Sequence, residues 1–316
     1  MELAAAGRAH RALFLSFEPH RQGLLAVTLA AGLWSTGGLL IKWVDLDAFG
    51  ITMWRSAFAA LTIGALMRPG WVAPWRAGWL TLGLAVSYAA MLVFFVMATR
   101  LTTAANAIFL QYTAPFYVLL LGHFILRERA TRLDVATLVA AFAGMALFFV
   151  GRLRTEDVAG NLCAVTSGAA FAVFLVMLRL PACGPKTRPT AMVYGNLLLV
   201  AAMVAVNAFR GEGGFTPGLG DMAALVFLGV CQIGLAYVVF TFGIIRVHAL
   251  EAALIGMLEP VLNPIWVFLF LGETPGWWAV GGGAAIVAAV GGRTLVTERR
   301  RPATETIAAE ALHSEA

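Results

Sequence analysis

The most constraining feature of the sequence is a series of ten apolar runs, separated by short polar connections. Each run has about 20 residues, which is the length that an α-helix needs to cross the hydrocarbon core of a bilayer. Strands are disfavoured because the runs do not alternate apolar and polar residues. The runs fall at about 23–43, 48–67, 77–99, 103–126, 132–151, 158–178, 190–208, 222–244, 250–271 and 276–294. The pattern predicts an all-α integral membrane protein with ten transmembrane helices.

Composition agrees with this prediction and excludes other classes. Of the 316 residues, 60% are hydrophobic and 12% are charged, whereas about a quarter of a soluble domain is charged. Three cysteines without CxxC spacing exclude a disulfide-built secreted module. The net charge of +5 comes with no nucleic-acid-binding motif, so we expect no nucleic-acid partner. HExxH, GxSxG and clustered histidines are absent from the sequence, so we expect no metal, no cofactor and no enzymatic activity.

The basic residues predict the orientation. Ten spans place both termini on one side, and if that side is cytoplasmic, 16 of the 22 Lys and Arg residues face the cytoplasm. Such an excess is typical of cytoplasmic segments. We therefore predict cytoplasmic tails at residues 1–22 and 295–316, in a multi-pass protein of the inner membrane.

The two halves of the sequence resemble each other. Pro115 and Glu128 are 13 residues apart, and so are Pro260 and Glu273, at an offset of 145 residues along the chain. The third and eighth runs also match, at an offset of 146. We interpret this as an internal repeat.

The repeat divides the chain into a first unit at 23–151 and a second unit at 152–294. Each unit holds five predicted helices. Because five is odd, the two units enter the membrane from opposite sides. Inverted repeats of this kind are common in secondary transporters, where they surround a site near the bilayer midplane.

The chain resembles the EamA family of the drug/metabolite transporter superfamily over residues 23 to 294. The stretches that carry this resemblance are WSTGGLLIK at 34–42, WRS at 54–56, LQYTAP at 110–115, LEPVLNP at 258–264 and LGE at 271–273. The resemblance implies ten helices in two inverted five-helix repeats, with a central substrate cavity walled by spans 1–4 and 6–9. It also implies movement of small metabolites, most often outward.

Several functions stay open on the sequence alone. The first is a proton-coupled secondary transporter that exports amino-acid-like or other small zwitterionic metabolites, including opine-type metallophores. Uptake of a vitamin or another metabolite is the alternative within transport. A membrane-embedded enzyme and a non-transporting subunit are alternatives of other classes. The expected partners are a small-molecule substrate, protons and the lipid bilayer, and the oligomeric state is left open.

Two ionisable side chains lie deep inside predicted spans. Arg55 is about 12 Å from the outer end of the second span, and Glu259 is about 13 to 14 Å from the inner end of the ninth. Charges at such depth are rare and point to function. We hypothesise that both face the cavity and pair with each other or with substrate, and that Glu259 is the coupling group. The other interpretation is that they form a static structural pair or cap helix breaks.

Other residues at similar depth are candidates for the cavity wall. Amides can bond both ends of a zwitterion, and aromatic rings can stack on its apolar or cationic part; the same side chains also join helices to each other. These candidates are Trp34, Trp54, Tyr88, Gln111, Tyr112, Asn196, Gln232, Tyr237 and Asn263.

Prolines predict helix breaks at mid-membrane. Pro115, Pro260 and Pro264 each lack the backbone N–H that a helix interior needs. Such breaks either bind ligands or serve as kinks for packing. Glu128 and Glu273 lie at helix ends, where we expect them to meet water or to pair with neighbouring arginines such as Arg127, Arg129 or Arg132.

Overall fold

The structure is a computed structural model that describes residues 19–70, 77–151, 155–210, 216–271 and 276–314. Throughout these ranges the chain forms helices joined by short turns, and no strand occurs in them. The helices of the first half are α1 Pro19–Trp34, α2 Gly37–Trp43, α3 Ala48–Met67, α4 Gly78–Leu101, α5 Ala104–Gln111, α6 Ala114–Leu121 with a π-helical end at Gly122–Leu126, and α7 Arg132–Phe148. Those of the second half are α8 Val158–Arg179, α9 Thr187–Arg210, α10 Leu219–Phe227 followed by a π-helical segment Leu228–Leu235, α11 Ala236–Ile244, α12 Ala249–Gly256, α13 Glu259–Leu271 and α14 Trp277–Ser314.

Eight helical stretches in the described ranges are long and apolar enough to cross a membrane. They are Pro19–Trp43, Ala48–Met67, Gly78–Leu101, Ala104–Leu126, Val158–Arg179, Thr187–Phe209, Leu219–Ile244 and Trp277–Thr297. The all-α, multi-pass membrane architecture predicted from the sequence is therefore confirmed. The two remaining predicted spans correspond to α7, which has 17 residues, and to the α12–α13 pair, which is interrupted between Gly256 and Glu259.

Local chemistry explains where helices begin. The Asp47 carboxylate accepts a hydrogen bond from the Gly50 N–H at 2.7 Å and caps α3. Thr131 and Asp134 form a reciprocal capping box at the start of α7. Each cap satisfies backbone N–H groups that the first turn leaves without a helical partner.

The first predicted span is broken within the membrane. Ser35 and Thr36 separate α1 from α2, and their hydroxyls donate to the carbonyls of Gly32 and Leu33 at 2.6 and 2.8 Å. The Ser35 hydroxyl also accepts a hydrogen bond from the Trp266 Nε1–H of α13 at 2.7 Å. These hydrogen bonds take the place of helical backbone hydrogen bonds at a depth in the membrane where water cannot supply them.

Helices from the two halves pack closely against each other. The main pairs are α4 with α8, α3 with α9, α1 with α11, and α7 with α14. Glycine permits several of these approaches: a Cβ at Gly23 would lie 2.7 Å from the Cβ of Arg246, and one at Gly160 would lie 2.7 Å from the Cβ of Thr102. Small residues allow such close contact between membrane helices.

Some predicted features lie outside the described residues. Glu273 and most of the N-terminal tail are among them.

Candidate substrate cavity

A small cavity of about 40 Å³ lies between helices of both halves. It is lined by Trp34, Arg55, Met91, Leu92, Phe95, Gln111, Tyr112, Phe171, Gln232, Ile233, Tyr237 and Glu259. The structure thus brings seven of the predicted site residues together around one space, namely Trp34, Arg55, Gln111, Tyr112, Gln232, Tyr237 and Glu259. The apolar lining residues, Phe171 among them, were not singled out from the sequence because an aromatic residue in an apolar run carries no local signal of its orientation.

Aromatic rings form one wall of the cavity. The Trp34 ring, at the end of α1, lies 6.0 Å from that of Phe171 and 5.1 Å from that of Tyr237, measured between centroids. Tyr237 also packs edge-on against Tyr88 at 4.9 Å. Such contacts fix the rings in place. The wall therefore offers a rigid apolar face to the flat or aliphatic part of a ligand.

Arg55 supplies the positive charge. Its side chain on α3 is completely buried. Its Nη2 donates to the Leu92 carbonyl at 3.4 Å, whereas Nε and Nη1 have no hydrogen-bond partner. A buried guanidinium normally has its donors satisfied, so two of its nitrogens are left for a ligand.

Glu259 supplies the negative charge. It is the first residue of α13 and is 8% exposed. Its Oε2 accepts a hydrogen bond from the Tyr112 hydroxyl at 2.6 Å. Tyr112 belongs to the turn between α5 and α6, so this bond joins the two broken helices across the cavity.

Arg55 and Glu259 are not joined to each other. Among the described residues, neither side chain forms an ion pair, although both line the same cavity. The hypothesis of a direct pair is therefore not met in this conformation. Two opposite charges instead face one space separately.

The remaining predicted residues lie outside this lining. Asn196 donates to the Tyr88 hydroxyl at 3.2 Å behind the aromatic wall, and its Oδ1 is without a partner. Trp54 is half-buried and stacks on Phe58. Asn263 lies beside α2, and its Oδ1 is also without a partner.

The two amides of the lining differ in their bonding. Gln111 donates to the Ser167 hydroxyl at 2.8 Å and so links α5 to α8. The Gln232 Oε1 is buried without a hydrogen-bond partner. Gln111 thus has a packing role in this conformation, while Gln232 keeps an acceptor available.

The prolines mark breaks at two of the three positions. Pro115 and Pro260 are each the second residue of a new helix, where the missing N–H leaves no helical bond unmade. The breaks themselves lie just ahead, at 112–113 and 257–258. The backbone of α13 continues as a helix through Pro264.

A second charged group lies at the helix ends, away from the cavity. The Arg293 guanidinium of α14 donates to Asp134 at 2.8 Å and also bonds Glu251. His20, at the start of α1, lies 2.9 Å from the other oxygen of Glu251. We call these four side chains the Arg293 network. It joins α1 and α14, the first and last helices, to Glu251 in the second half and, through Arg293, to Asp134 in the first half.

Next to this network is a cluster around Glu128. Arg179 donates to the Glu128 carboxylate at 2.7 Å, the Ala249 N–H donates at 3.0 Å, and His248 Nδ1 lies 3.6 Å away. Burial alone raises the pKa of Glu128, but its interactions with the His248 imidazole and the Arg179 guanidinium hold it below the ordinary value. The interaction with Glu128 raises the pKa of His248.

Both groups contain residues or pairings that the sequence did not predict. Glu128 pairs with Arg179 and not with its neighbours Arg127, Arg129 and Arg132, because α8 ends against α6 at this face. Glu251 is 1% exposed and Arg293 7%, yet neither was counted among the deep charges. Its position in the sequence could have identified Glu251, because it lies within the same apolar run as Glu259. Together the two groups border a cavity of about 180 Å³.

Known proteins resemble this chain in fold and in sequence. A solved crystal structure superposes with a TM-score of 0.71 at 23% identity, covering 88% of this chain and 98% of the other, and shows the fold. An uncharacterized transporter of Archaeoglobus fulgidus is 26% identical, covering 82% of this chain and 91% of the relative. The pseudopaline exporter CntI of Pseudomonas aeruginosa is 28% identical, and the match covers 81% of this chain and 89% of the exporter.

The family comparison spans most of the chain. The model of the EamA-like transporter family matches twice, at residues 21–150 and again at 158–293. The chain belongs to the EamA-like transporter family.

Proposed function

We propose that the protein is a proton-coupled secondary transporter that exports small amino-acid-like or other zwitterionic metabolites, opine-type metallophores among them. The observation that carries this proposal is the cavity in which Arg55 and Glu259 face one space without neutralising each other. A space with one cation, one carboxylate and an aromatic wall is complementary to a molecule that carries both charges. Transport is supported over catalysis by the relatives, one of which is named as a transporter and another as an exporter.

The direction of transport is supported by a relative. The Pseudomonas aeruginosa protein is named as an exporter and matches this chain over 81% of its length. The substrate is best sought by comparing intracellular and medium metabolites between a deletion strain and the wild type. We expect the exported metabolite to accumulate inside the deletion strain, and accumulation in the medium instead would indicate uptake.

We further propose ten spans in two inverted five-helix repeats. Three observations support this layout. The family model matches each half separately. The short helices α5 and α12 stand 145 residues apart, and each is followed by a break and a helix with proline at its second position. The close approach at Gly23 between α1 and the end of α11 has a counterpart at Gly160, between α8 and the end of α4.

In this layout both termini are cytoplasmic and the protein lies in the inner membrane. The Arg293 network and the Glu128 cluster then lie at the cytoplasmic face. This agrees with the excess of Lys and Arg in the segments assigned to that side.

Glu259 is the proposed proton-coupling group. Its carboxylate lines the cavity and has Tyr112 as its hydrogen-bond partner, so protonation and substrate binding compete for one side chain. Once the deletion strain has identified the metabolite, its flux is measured in vesicles reconstituted with purified protein. Glu259→Gln keeps the size of the side chain but removes its proton exchange. We expect pH-gradient-driven flux to fall to the level of empty vesicles.

A matched control is Glu156→Gln, which makes the same change at an exposed carboxylate. We expect this variant to transport like the wild type. Exchange of labelled for unlabelled metabolite without a gradient should persist in Glu259→Gln, because that reaction moves no net protons. Gradient-driven flux that is unchanged in Glu259→Gln would contradict the proposal.

A further inference from the structure

Arg55 is a buried cation that the described part of the chain does not neutralise. Its side chain is 0% exposed, and its single acceptor is the Leu92 carbonyl at 3.4 Å. Arg293 shows the contrast within the same molecule, since its guanidinium bonds both Asp134 and Glu251. A charge taken out of water without a counter-charge is strongly unfavourable. Arg55 therefore opposes the stability of the empty protein, which is typical of a binding residue.

The unsatisfied groups beside the cavity have one chemical character. Arg55 presents Nε and Nη1, and Trp34 presents Nε1; all three are buried and find no hydrogen-bond partner among the described residues. Guanidinium and indole nitrogens only donate hydrogen bonds. Both side chains line the same cavity. A ligand in that cavity can therefore supply their acceptor.

A carboxylate is the acceptor that best matches these N–H donors. Its two oxygens accept two parallel hydrogen bonds from a guanidinium, and its charge neutralises the arginine. It also has lone pairs to spare for an indole N–H. Glu259 does not fill this place, because its Oε2 is bonded to Tyr112 and no ion pair reaches Arg55 in the described residues.

We propose that Arg55 and Trp34 form the subsite that binds the carboxylate of the transported molecule. This inference rests on the proposed function, which it deepens by stating which group of the substrate lies where. The protein then selects against molecules that lack the carboxylate, whatever the rest of their structure, because they leave a buried cation without an acceptor.

The first test needs no ligand. Arg55→Met removes an unpaired charge, whereas Arg293→Met removes a paired one and leaves Asp134 and Glu251 without their cation. We expect the melting temperature of purified Arg55→Met to equal or exceed that of the wild type, and that of Arg293→Met to be clearly lower. If Arg55→Met is destabilised as much as Arg293→Met, Arg55 is a structural residue and the subsite is overturned.

The second test uses amino acids with their decarboxylated amines as matched probes. Phenylalanine is compared with phenethylamine, histidine with histamine, and tryptophan with tryptamine, by thermal shift on the purified full chain. We expect at least one amino acid to raise the melting temperature and its amine to leave it unchanged. Arg55→Gln should weaken the apparent affinity for that amino acid about tenfold to a hundredfold, and Arg55→Lys less.

The possible outcomes separate this inference from the proposed function. Amines that bind as tightly as the acids, equal binding by Arg55→Gln, or no binding of any amino acid would each overturn the subsite. The binding experiments do not depend on flux. If they support the subsite while vesicles show no gradient-driven transport, only the proposed function is contradicted. Conversely, transport that is unaffected in Arg55→Gln overturns the subsite and leaves the transport function intact.

Discussion

Glu259 keeps its orientation through one side-chain hydrogen bond. The Tyr112 hydroxyl donates to its carboxylate at 2.6 Å, and both side chains are buried. When a buried acceptor loses its donor, the folded state is destabilised by the full free-energy cost of removing that acceptor from water. The bond also ties the break between α5 and α6 to the start of α13. A single hydroxyl thus positions the proposed coupling group and joins two interrupted helices.

Tyr112→Phe tests this bond. We expect the variant to lose about 1–3 kcal/mol of stability, because the Glu259 carboxyl is left without its donor. Thermal melting in detergent measures the change. The control is Tyr117→Phe, five residues along on α6, for which the described residues show no side-chain hydrogen bond. A Tyr112→Phe variant no less stable than Tyr117→Phe would mean that the Glu259 bond adds nothing to stability.

Helix packing in this protein depends on where backbones approach. In the pairing of α7 with α14, a Cβ at Gly282 would lie 2.5 Å from the Gly144 carbonyl oxygen and would also meet the Phe148 backbone. Backbone atoms cannot move aside as a flexible side chain does. The two helices therefore contact each other at a position where only glycine fits.

Gly282→Ala and Gly292→Ala are a matched pair on one helix. We expect Gly282→Ala to lower stability by about 1–3 kcal/mol through overpacking. At Gly292 a Cβ meets no atom within 4 Å, so there alanine should be neutral or stabilise the helix by up to about 1 kcal/mol. Thermal melting of both variants gives the comparison, and equal effects would exclude close packing as the cause.

The sequence predicts these elements unevenly, for physical reasons. Apolar runs predict the spans because hydropathy is a property of consecutive residues. The break at Ser35 and Thr36 was not predicted, since it depends on hydroxyls that bond the preceding turn and on Trp266 from a distant helix. The proline positions predicted two of the other breaks. Depth within a run placed Arg55 and Glu259 at the cavity, but depth does not reveal which partner a charge meets, so Arg179 and Arg293 were missed.

At the scale of the whole molecule, the Glu128 cluster joins three distant segments. Glu128 follows α6, Arg179 ends α8, and His248 precedes α12. The pKa of His248 is raised, so its contribution to stability is full below its ordinary pKa of 6.5 and is lost as pH rises through the raised value. The pKa of Glu128 is lowered, so its contribution is full above 4.5 and is lost as pH falls through the lowered value. The cluster therefore stabilises the protein most between pH 4.5 and pH 6.5, the ordinary pKa values of Glu128 and His248.

His248→Gln measures this dependence. We expect the variant to melt below the wild type at mildly acidic pH, and we expect the difference to disappear as pH rises through the raised pKa of His248 and the imidazole becomes neutral. The effect should stay below about 1 kcal/mol, because the His248 side chain is 63% exposed. In a Glu128→Gln background the substitution should have a smaller effect, because the main partner of the His248 charge is gone. A difference that is constant from acidic to alkaline pH would contradict a role for the histidine charge.

The Arg293 network has a consequence for how the protein is made. Asp134 is synthesised 159 residues before Arg293, and Glu251 42 residues before it. Both acids are therefore synthesised before their shared cation. A nascent chain lacks the cation that Asp134 and Glu251 share until its last helix inserts, and a chain cut short before that helix lacks it permanently. Insertion of the last helix is thus the step that completes the Arg293 network.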